Sequence, residues 1–543
     1  MYDIVILNGR VVDGTGNPWF YADIAVTKGR IMAVGRLKNF RAKKVLDASG
    51  LFVTPGFIDI HSHSDLEPMV NYKCESKVRQ GVTTEVVGNC GDSAAPVLGQ
   101  AYEEQRRSAR DLYGIDAGWN TVAEYLEALE RARPSINYAM LAGHGTIRKS
   151  VMGYERRQPT PEEMRRMKVL LKEAMEQGAF GLSTGLIYPP GSFAETGEIV
   201  ELCRVAAENG GIYATHMRDE GERLEEAVEE AIAIGEKAGI PVEISHHKAC
   251  GMSYFGKVER TLLMIKEARE RSIDVTCDVY PYMATATGLT SIVPDWAHEG
   301  GIEKLIHRLQ DKILRERIKK EADPIQKALS GYENVYITYV ATEANRRFQG
   351  KSLEEVGAIL NKNPLDAALD LIVEERGQVG MIRFAMDEED VKKVLTSPFS
   401  MIGSDGSALA PYGILSGSHP HPRNYGTFPR VLARYVREQG ILTLEEAVRK
   451  MTSFPARRLG LWDRGIIMEG MAADIVIFDL DKVKDMATYE NPKTYPKGIV
   501  HVIVNGVPVI SEGKHTGARP GRVLRNGLWR KKIINTKYEK ELG

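Results

Sequence analysis

The chain has 543 residues, length for two or three domains, with 43% hydrophobic and 27% charged residues, the balance of a globular protein in water. Its 72 Lys and Arg offset 73 Asp and Glu, which removes the bulk electrostatic case for nucleic acid or an anionic membrane as partner and favours a small molecule. The first residues lack a basic segment followed by an apolar one, no apolar run reaches the roughly 18 residues of a membrane span, and the five cysteines form no paired framework, so a cytoplasmic protein is expected.

Residues 1–54 read as short strands punctuated by turns: Asp3 to Leu7, Arg10 to Asp13, Asp23 to Val26 and Ile31 to Val34, with Asn8-Gly9 and Lys28-Gly29 between them. The same grammar returns in Asp474 to Phe478 and in Ile499 to Gly506. Both chain ends, 1–54 and 467–520, are therefore expected to build one β-sandwich domain. The run Val53-Thr-Pro-Gly-Phe-Ile-Asp-Ile-His-Ser-His-Ser64 then ends in two histidines one residue apart. In an extended strand i and i+2 share a face, so His61 and His63 can converge on one ion.

From there the texture changes to apolar strands alternating with amphipathic helices. Glu162 to Gly178 has apolar residues at 164, 167, 170, 171 and 174 and a glycine stop, and Gly221 to Gly239 repeats the pattern. Each is followed by a short strand, Phe180 to Thr184 and Pro241 to His246. Such alternation over several hundred residues implies an α/β fold with a parallel sheet, and at this length a closed (β/α)₈ TIM-type barrel over 55–288 and 350–466. A doubly wound sheet is the alternative, weakened because no G-x-G-x-x-G follows a strand. Residues 289–349, with the charged stretch Glu303 to Ala322, interrupt the rhythm as an insertion that could cover the barrel mouth. Residues 521–543 are basic and polar and read as a surface tail.

In such a barrel, polar residues at strand C-terminal ends face the active site. Thr83 to Gly91 carries Cys90, Gly211 to His216 ends in His216, Pro241 to Lys248 ends in His246, His247 and Lys248, and Pro398 to Asp405 ends in Asp405. A thiolate, several imidazoles and a carboxylate make a zinc-type donor set with room for one or two ions. The chemistry that follows is hydrolysis by a metal-bound hydroxide, with a carboxylate, suited to Asp405, moving the proton. His246 and His247 should point to opposite faces of their strand, and periodicity leaves open which is the ligand.

These residues carry a family resemblance. The chain resembles the amidohydrolase superfamily, and within it the D-aminoacylases (N-acyl-D-amino-acid deacylases), through Thr-Pro-Gly-Phe-Ile-Asp-Ile-His-Ser-His (54–63), Gly-Asn-Cys-Gly (88–91), Gly-His-Gly-Thr-Ile-Arg (143–148), Ser-Thr-Gly-Leu-Ile-Tyr-Pro-Pro-Gly (183–191), Thr-His-Met-Arg-Asp-Glu-Gly (215–221), Ile-Ser-His-His-Lys (244–248), Gly-Ser-Asp-Gly (403–406) and His-Pro-Arg (421–423). The resemblance implies one tight zinc site from Cys90, His216 and His246, and a second, weaker one from His61 and His63 beside Asp405, the catalytic acid/base. It also implies that Lys248, Tyr280 and Arg423 hold the substrate's α-carboxylate and that Tyr188 contacts the scissile carbonyl. The hydantoinases and dihydroorotases bridge two metals with a carbamylated lysine on the fourth strand; Phe180 to Leu186 has none here, and Cys90 stands in for it. D-aminoacylases place a serine after Tyr-Pro-Tyr to assist carboxylate binding, where this chain offers Thr285 and Thr287.

The sequence thus leads to a zinc-dependent hydrolase of N-acyl-D-amino acids, with a small-molecule substrate and a homo-oligomer as its only expected partners. A hydrolase of a D-amino-acid-containing dipeptide or a hydantoin is the alternative within the enzyme class, and a metal-free scaffold the alternative outside it.

Overall fold

The computed structural model describes residues 1–527. Both chain ends enter one nine-stranded sheet, joined where Phe52–Pro55 pairs antiparallel with Ile475–Phe478. Alternation along the C-terminal strands gives this sheet two jobs. Ile475, Ile477 and Ile503 pack with Ile4, Ile6 and Ile24 in the domain's own core, whereas Val476, Phe478, Val502 and Val504 join the large core around the barrel.

The barrel strands are β1 (Phe57–Asp59), β2 (Val82–Val87), β3 (Asn137–Met140, continued by Ala142–Gly143), β4 (Gly181–Gly185), β5 (Ile212–His216), β6 (Val242–Ile244), β7 (Val275–Val279) and β8 (Ser400–Ile402). Neighbours pair in parallel from β1 to β3 and from β3 through β7 to β8. The ring closes just past the ends of β8 and β1, where Asp405 N donates to His61 O (2.8 Å) and His63 N to Gly406 O (3.0 Å). The interior is filled by Ile58, Ile60, Val86, Phe180, Ala214 and Met401, among others, and helices cover the outside. Both faces of each strand are thus buried, the reason the strands lack a polar–apolar alternation.

Local signals set the helices. In Pro161–Gln177, Thr160 and Glu163 form a reciprocal capping box, Pro161 opens the first turn and Gly178 stops the helix at a φ of 122°. The second expected helix begins at Leu224 rather than Gly221, because Asp219 Oδ1 takes the amide protons of Gly221 and Arg223 and holds that stretch in a turn. Among the described residues no helix is long and apolar enough to cross a membrane.

Two boundaries differ from the sequence reading. The inserted unit is longer than 289–349: Ala284–Gly288, Val335–Val340 and Val379–Phe384 form an antiparallel sheet of their own. A separate core runs from Leu289 to Met381, including the helices Leu353–Leu360 and Pro364–Glu374. The expected surface tail is in part interior: Val523 bridges to Tyr138, and Leu524, 4% exposed, packs in the barrel interior with Ala456 and Leu459. Its remainder, 528–543, lies outside the described residues.

Beneath the β8–β1 closure sits Lys77, fully buried. Its ammonium reaches Asp59 (2.8 Å) on β1, Glu85 (3.0 Å) on β2, and Ser404 Oγ (2.6 Å) and Gly406 O (2.9 Å) after β8. Burial opposes its charge, but the two carboxylates hold the Lys77 pKa above its ordinary value. Lys77→Met would strand Asp59 and Glu85 as unpaired buried charges, at a cost of about 3–5 kcal/mol. The expected result is a lower thermal midpoint by calorimetry; a wild-type midpoint would show that the barrel closes without this ion cluster.

Candidate active site

Most of the polar residues read at strand ends meet in one cavity of about 580 Å³, lined among others by His63, Cys90, Tyr188, His216, His246, Lys248, Tyr280, Asp405 and Arg423. Three of them sit in left-handed turns just beyond their strands: Cys90 (φ 53°) after β2, His246 (φ 37°) after β6 and Asp405 (φ 51°) after β8. Non-glycine residues seldom adopt this backbone, and all three line the cavity. His61 and His63 also lie past the end of β1, so a loop rather than a pleat brings their rings to 5.4 Å. Close packing completes the arrangement: a Cβ on Gly185 would fall 2.1 Å from Cys90 O, so only glycine lets the end of β4 approach the Cys90 turn.

Cys90 Sγ lies 3.3 Å from His61 Nε2 and 3.5 Å from His246 Nε2. Donor atoms of Cys90, His216 and His246 lie within 4.8 Å of one another, as do those of His61, His63, Cys90 and Asp405. Cys90 thus belongs to both groups and is the one donor they share. His63 Nε2 is 3.0 Å and His61 Nε2 3.5 Å from Asp405 Oδ1, while Arg423 Nη1 lies 2.8 Å from Asp405 Oδ2.

The electrostatics favour a cation. Burial works against the Cys90 thiolate, yet the neighbouring His61 and His246 outweigh it and hold the thiol well below its ordinary range. Burial likewise opposes the Asp405 carboxylate, but Arg423 and His246 keep it well below the usual carboxylate range. His216, 5% exposed, has no hydrogen-bond partner on either ring nitrogen, and burial lowers its pKa, leaving a neutral imidazole with a free lone pair. Orphaned buried polar atoms of this kind are rare in proteins. With the adjoining thiolate they suit a borderline-soft ion such as zinc, so the residues present fit the metal.

The structure separates the adjacent histidines. His246 enters the cavity, whereas His247 Nε2 meets Thr261 Oγ1 (2.9 Å) on the helix Lys257–Glu270 and takes no part. Two orienting groups escaped the sequence reading. Asp278 on β7 accepts from the His246 backbone N–H (2.8 Å) and faces His61 Nδ1 (3.2 Å). Glu220 lies 2.9 Å from His246 Nδ1 and 2.5 Å from Lys248 Nζ. Carboxylates behind imidazoles fix ring orientation and turn the other nitrogen inward. Their signal was present in Thr-His-Met-Arg-Asp-Glu-Gly and in Asp278 two residues before Tyr280, without the distant partner that gives each its task.

Lys248 and Arg423 lie over the Tyr280 ring at 5.8 and 4.8 Å, so these three form one wall of the cavity. Tyr188 packs edge-on against His216 (4.9 Å between centroids), and its hydroxyl meets Thr287 Oγ1 at 2.9 Å. Burial first, and the Cys90 charge second, push its phenol well above the usual value, keeping it protonated.

Residues 44–510 match the model of the amidohydrolase family. The chain belongs to this family. Within it the chain is 40% identical to D-aminoacylase of Alcaligenes xylosoxydans xylosoxydans, over 96% of this chain and 97% of that one, and 39% identical to N-acyl-D-glutamate deacylase of the same organism over 96% of each. A crystal structure of D-aminoacylase superposes with a TM-score of 0.81 at 38% identity, covering 97% of this chain and 100% of its own. The N-acyl-D-glutamate deacylase of Bordetella bronchiseptica, complexed with zinc and a phosphonate mimic of the tetrahedral intermediate, gives 0.81 at 37%, covering 96% and 99%. The amidohydrolase fold of barrel and β domain expected from the sequence is thus present.

In this amidohydrolase, removing the thiolate should remove the metal. Cys90→Ala is expected to purify with less than about 0.2 zinc per chain by elemental analysis. Full metal content in that variant would mean that histidines alone hold the ion.

Proposed function

We propose that this protein is a zinc-dependent deacylase of N-acyl-D-amino acids. The observation that carries the reading is the convergence of the Cys90 thiolate with the unpartnered His216 and with His246, beside the ionised Asp405. Cys90, His216 and His246 would hold one ion tightly; His61 and His63, with Asp405, would hold a second more weakly. When bound, zinc supplies Lewis-acid polarisation of a carbonyl and acidifies water to a pKa of about 7.

The remaining work falls to the chain's own groups. Asp405 is kept ionised and so can accept the proton of the attacking water at a carboxylate oxygen, then hand it to the departing nitrogen. The Tyr188 hydroxyl, held protonated, can donate to the oxygen of the scissile carbonyl as charge develops there. Lys248 and Arg423 stand over the Tyr280 ring, each paired in the protein with a carboxylate, Glu220 and Asp405, and would offer their remaining donors to the α-carboxylate, with arginine able to engage it bidentately. Five unpaired cysteines suit a reducing compartment, and we place the enzyme in the cytoplasm.

Asp405→Asn preserves size while abolishing the proton acceptor. It should bind zinc and lose about 10²–10⁴-fold in kcat; turnover close to wild type would remove Asp405 from this role. A panel of N-acetyl-D- and N-acetyl-L-amino acids, with D-amino-acid dipeptides and hydantoins alongside and products resolved by chromatography, tests the substrate class. Free D-amino acids should be released from the first group, and hydrolysis confined to dipeptides or hydantoins would overturn the reading.

A further inference from the structure

Cys90 is the one donor common to both groups, so whatever holds its turn holds the whole donor set together. Strand β2 has ended at Val87, and three of the next four residues are left-handed: Gly88 (φ 76°), Cys90 (φ 53°) and Gly91 (φ 76°). A backbone of this kind keeps its shape only where its surroundings dictate it.

Two side chains do so. Asn89, 1% exposed, turns back on its own strand and gives its amide N–H groups to Val86 O (2.9 Å) and Ser62 O (3.3 Å). The second is Ser183 on β4, which is fully buried. Its hydroxyl donates to Gly88 O (2.5 Å) and accepts from Gly91 N–H (3.1 Å), the two peptide groups that bracket Asn89 and Cys90. A hydroxyl carries one donor and two lone pairs, so a single oxygen closes both contacts. Strand β3 lies between β2 and β4, and it meets Ser183 in register with Gly143. A Cβ on Gly143 would fall 2.6 Å from Gly91 O, so only a bare backbone there leaves room for the turn.

We propose that Ser183 is a positioning residue of the metal centre: its hydroxyl pre-forms the Cys90 turn, so that the thiolate is in place before an ion arrives. Without it, Gly88 O and Gly91 N–H, both in buried surroundings, would lose a partner, and the turn would relax to find another. The loss falls on the metal rather than on the barrel, because β4 keeps its ladders to β3 and β5 whichever side chain stands at 183. The proposal rests on the metal-binding part of the reading above and on no choice of substrate.

Ser400 supplies the comparison. It is equally buried at the start of β8, at the opposite end of the barrel, where its hydroxyl spans Val394 O (2.6 Å) and Ser397 O (3.0 Å). Zinc affinity of Ser183→Ala and Ser400→Ala is measured by competition with a chromophoric chelator, and folding by calorimetry. The thiolate is followed through its near-ultraviolet charge-transfer band after cobalt(II) replaces zinc. Ser183→Ala should fold, bind zinc about 10–100-fold more weakly and show a shifted or weakened cobalt band. Ser400→Ala should keep the wild-type affinity and band. Wild-type zinc affinity in Ser183→Ala would overturn the proposal, and so would equal losses in both variants, which would make the effect one of general stability. Failure of Ser183→Ala to fold would overturn it too, since the hydroxyl would then belong to the scaffold. Weaker binding with an unmoved band would do the same, because the thiolate would not have shifted. A wild-type protein that takes up no zinc would remove the metal reading itself, and this proposal with it.

Discussion

One buried ammonium underlies the geometry of this site. Lys77 ties Asp59, Glu85, Ser404 and Gly406 at the point where the last barrel strand meets the first. His61 and Asp405 exchange a backbone hydrogen bond directly above that junction. The spacing of His61 and Asp405, one on each side of the seam, is therefore set by an ion cluster whose Ser404 and Gly406 flank Asp405 and whose Ser404 Oγ also reaches His61 O. A closed ring of strands transmits such a constraint well because its interior is packed and has few ways to give.

Above the seam the arrangement is governed by charge balance. The cavity gathers imidazoles, a thiolate and a carboxylate that no internal pairing fully satisfies, and it answers most of its cations with carboxylates of its own. Glu220 serves twice, behind His246 and against Lys248, which couples the orientation of a donor to the charge of the neighbouring wall. The inserted sheet adds a second end to the cavity through Thr285, Thr287, Met381 and Arg383. The barrel and the insertion thus line one cavity together.

Much of this was legible in the sequence. Apolar runs ending in Cys90, His216 and Asp405 revealed barrel strands and their functional ends together, because in this architecture the two coincide. The choice between His246 and His247 was not legible, since a left-handed backbone at His246 breaks the alternation on which strand reasoning depends. The insertion looked shorter than it is because the helices Leu353–Leu360 and Pro364–Glu374 with the strand Val379–Phe384 imitate a barrel repeat. What they pack against, rather than their own pattern, assigns them to a separate core. Asp278 and Glu220 became meaningful only once folding supplied their partners. Leu524 is a single apolar residue in a basic stretch, too little periodicity to mark it as interior.

The position of Leu524 bears on how the molecule comes into being. Its side chain helps fill the barrel interior, and the sheet that begins at Tyr2 needs strands as late as Val507–Ser511. At about 5–20 residues per second, the edge presented by Phe52–Pro55 waits roughly 20–80 s for Ile475–Phe478 to be synthesised. Neither the sheet nor the barrel interior can be finished strand by strand behind the ribosome. Assembly is a late event of the whole chain, and the nascent N-terminal strands spend that interval as an unsatisfied edge open to chaperones.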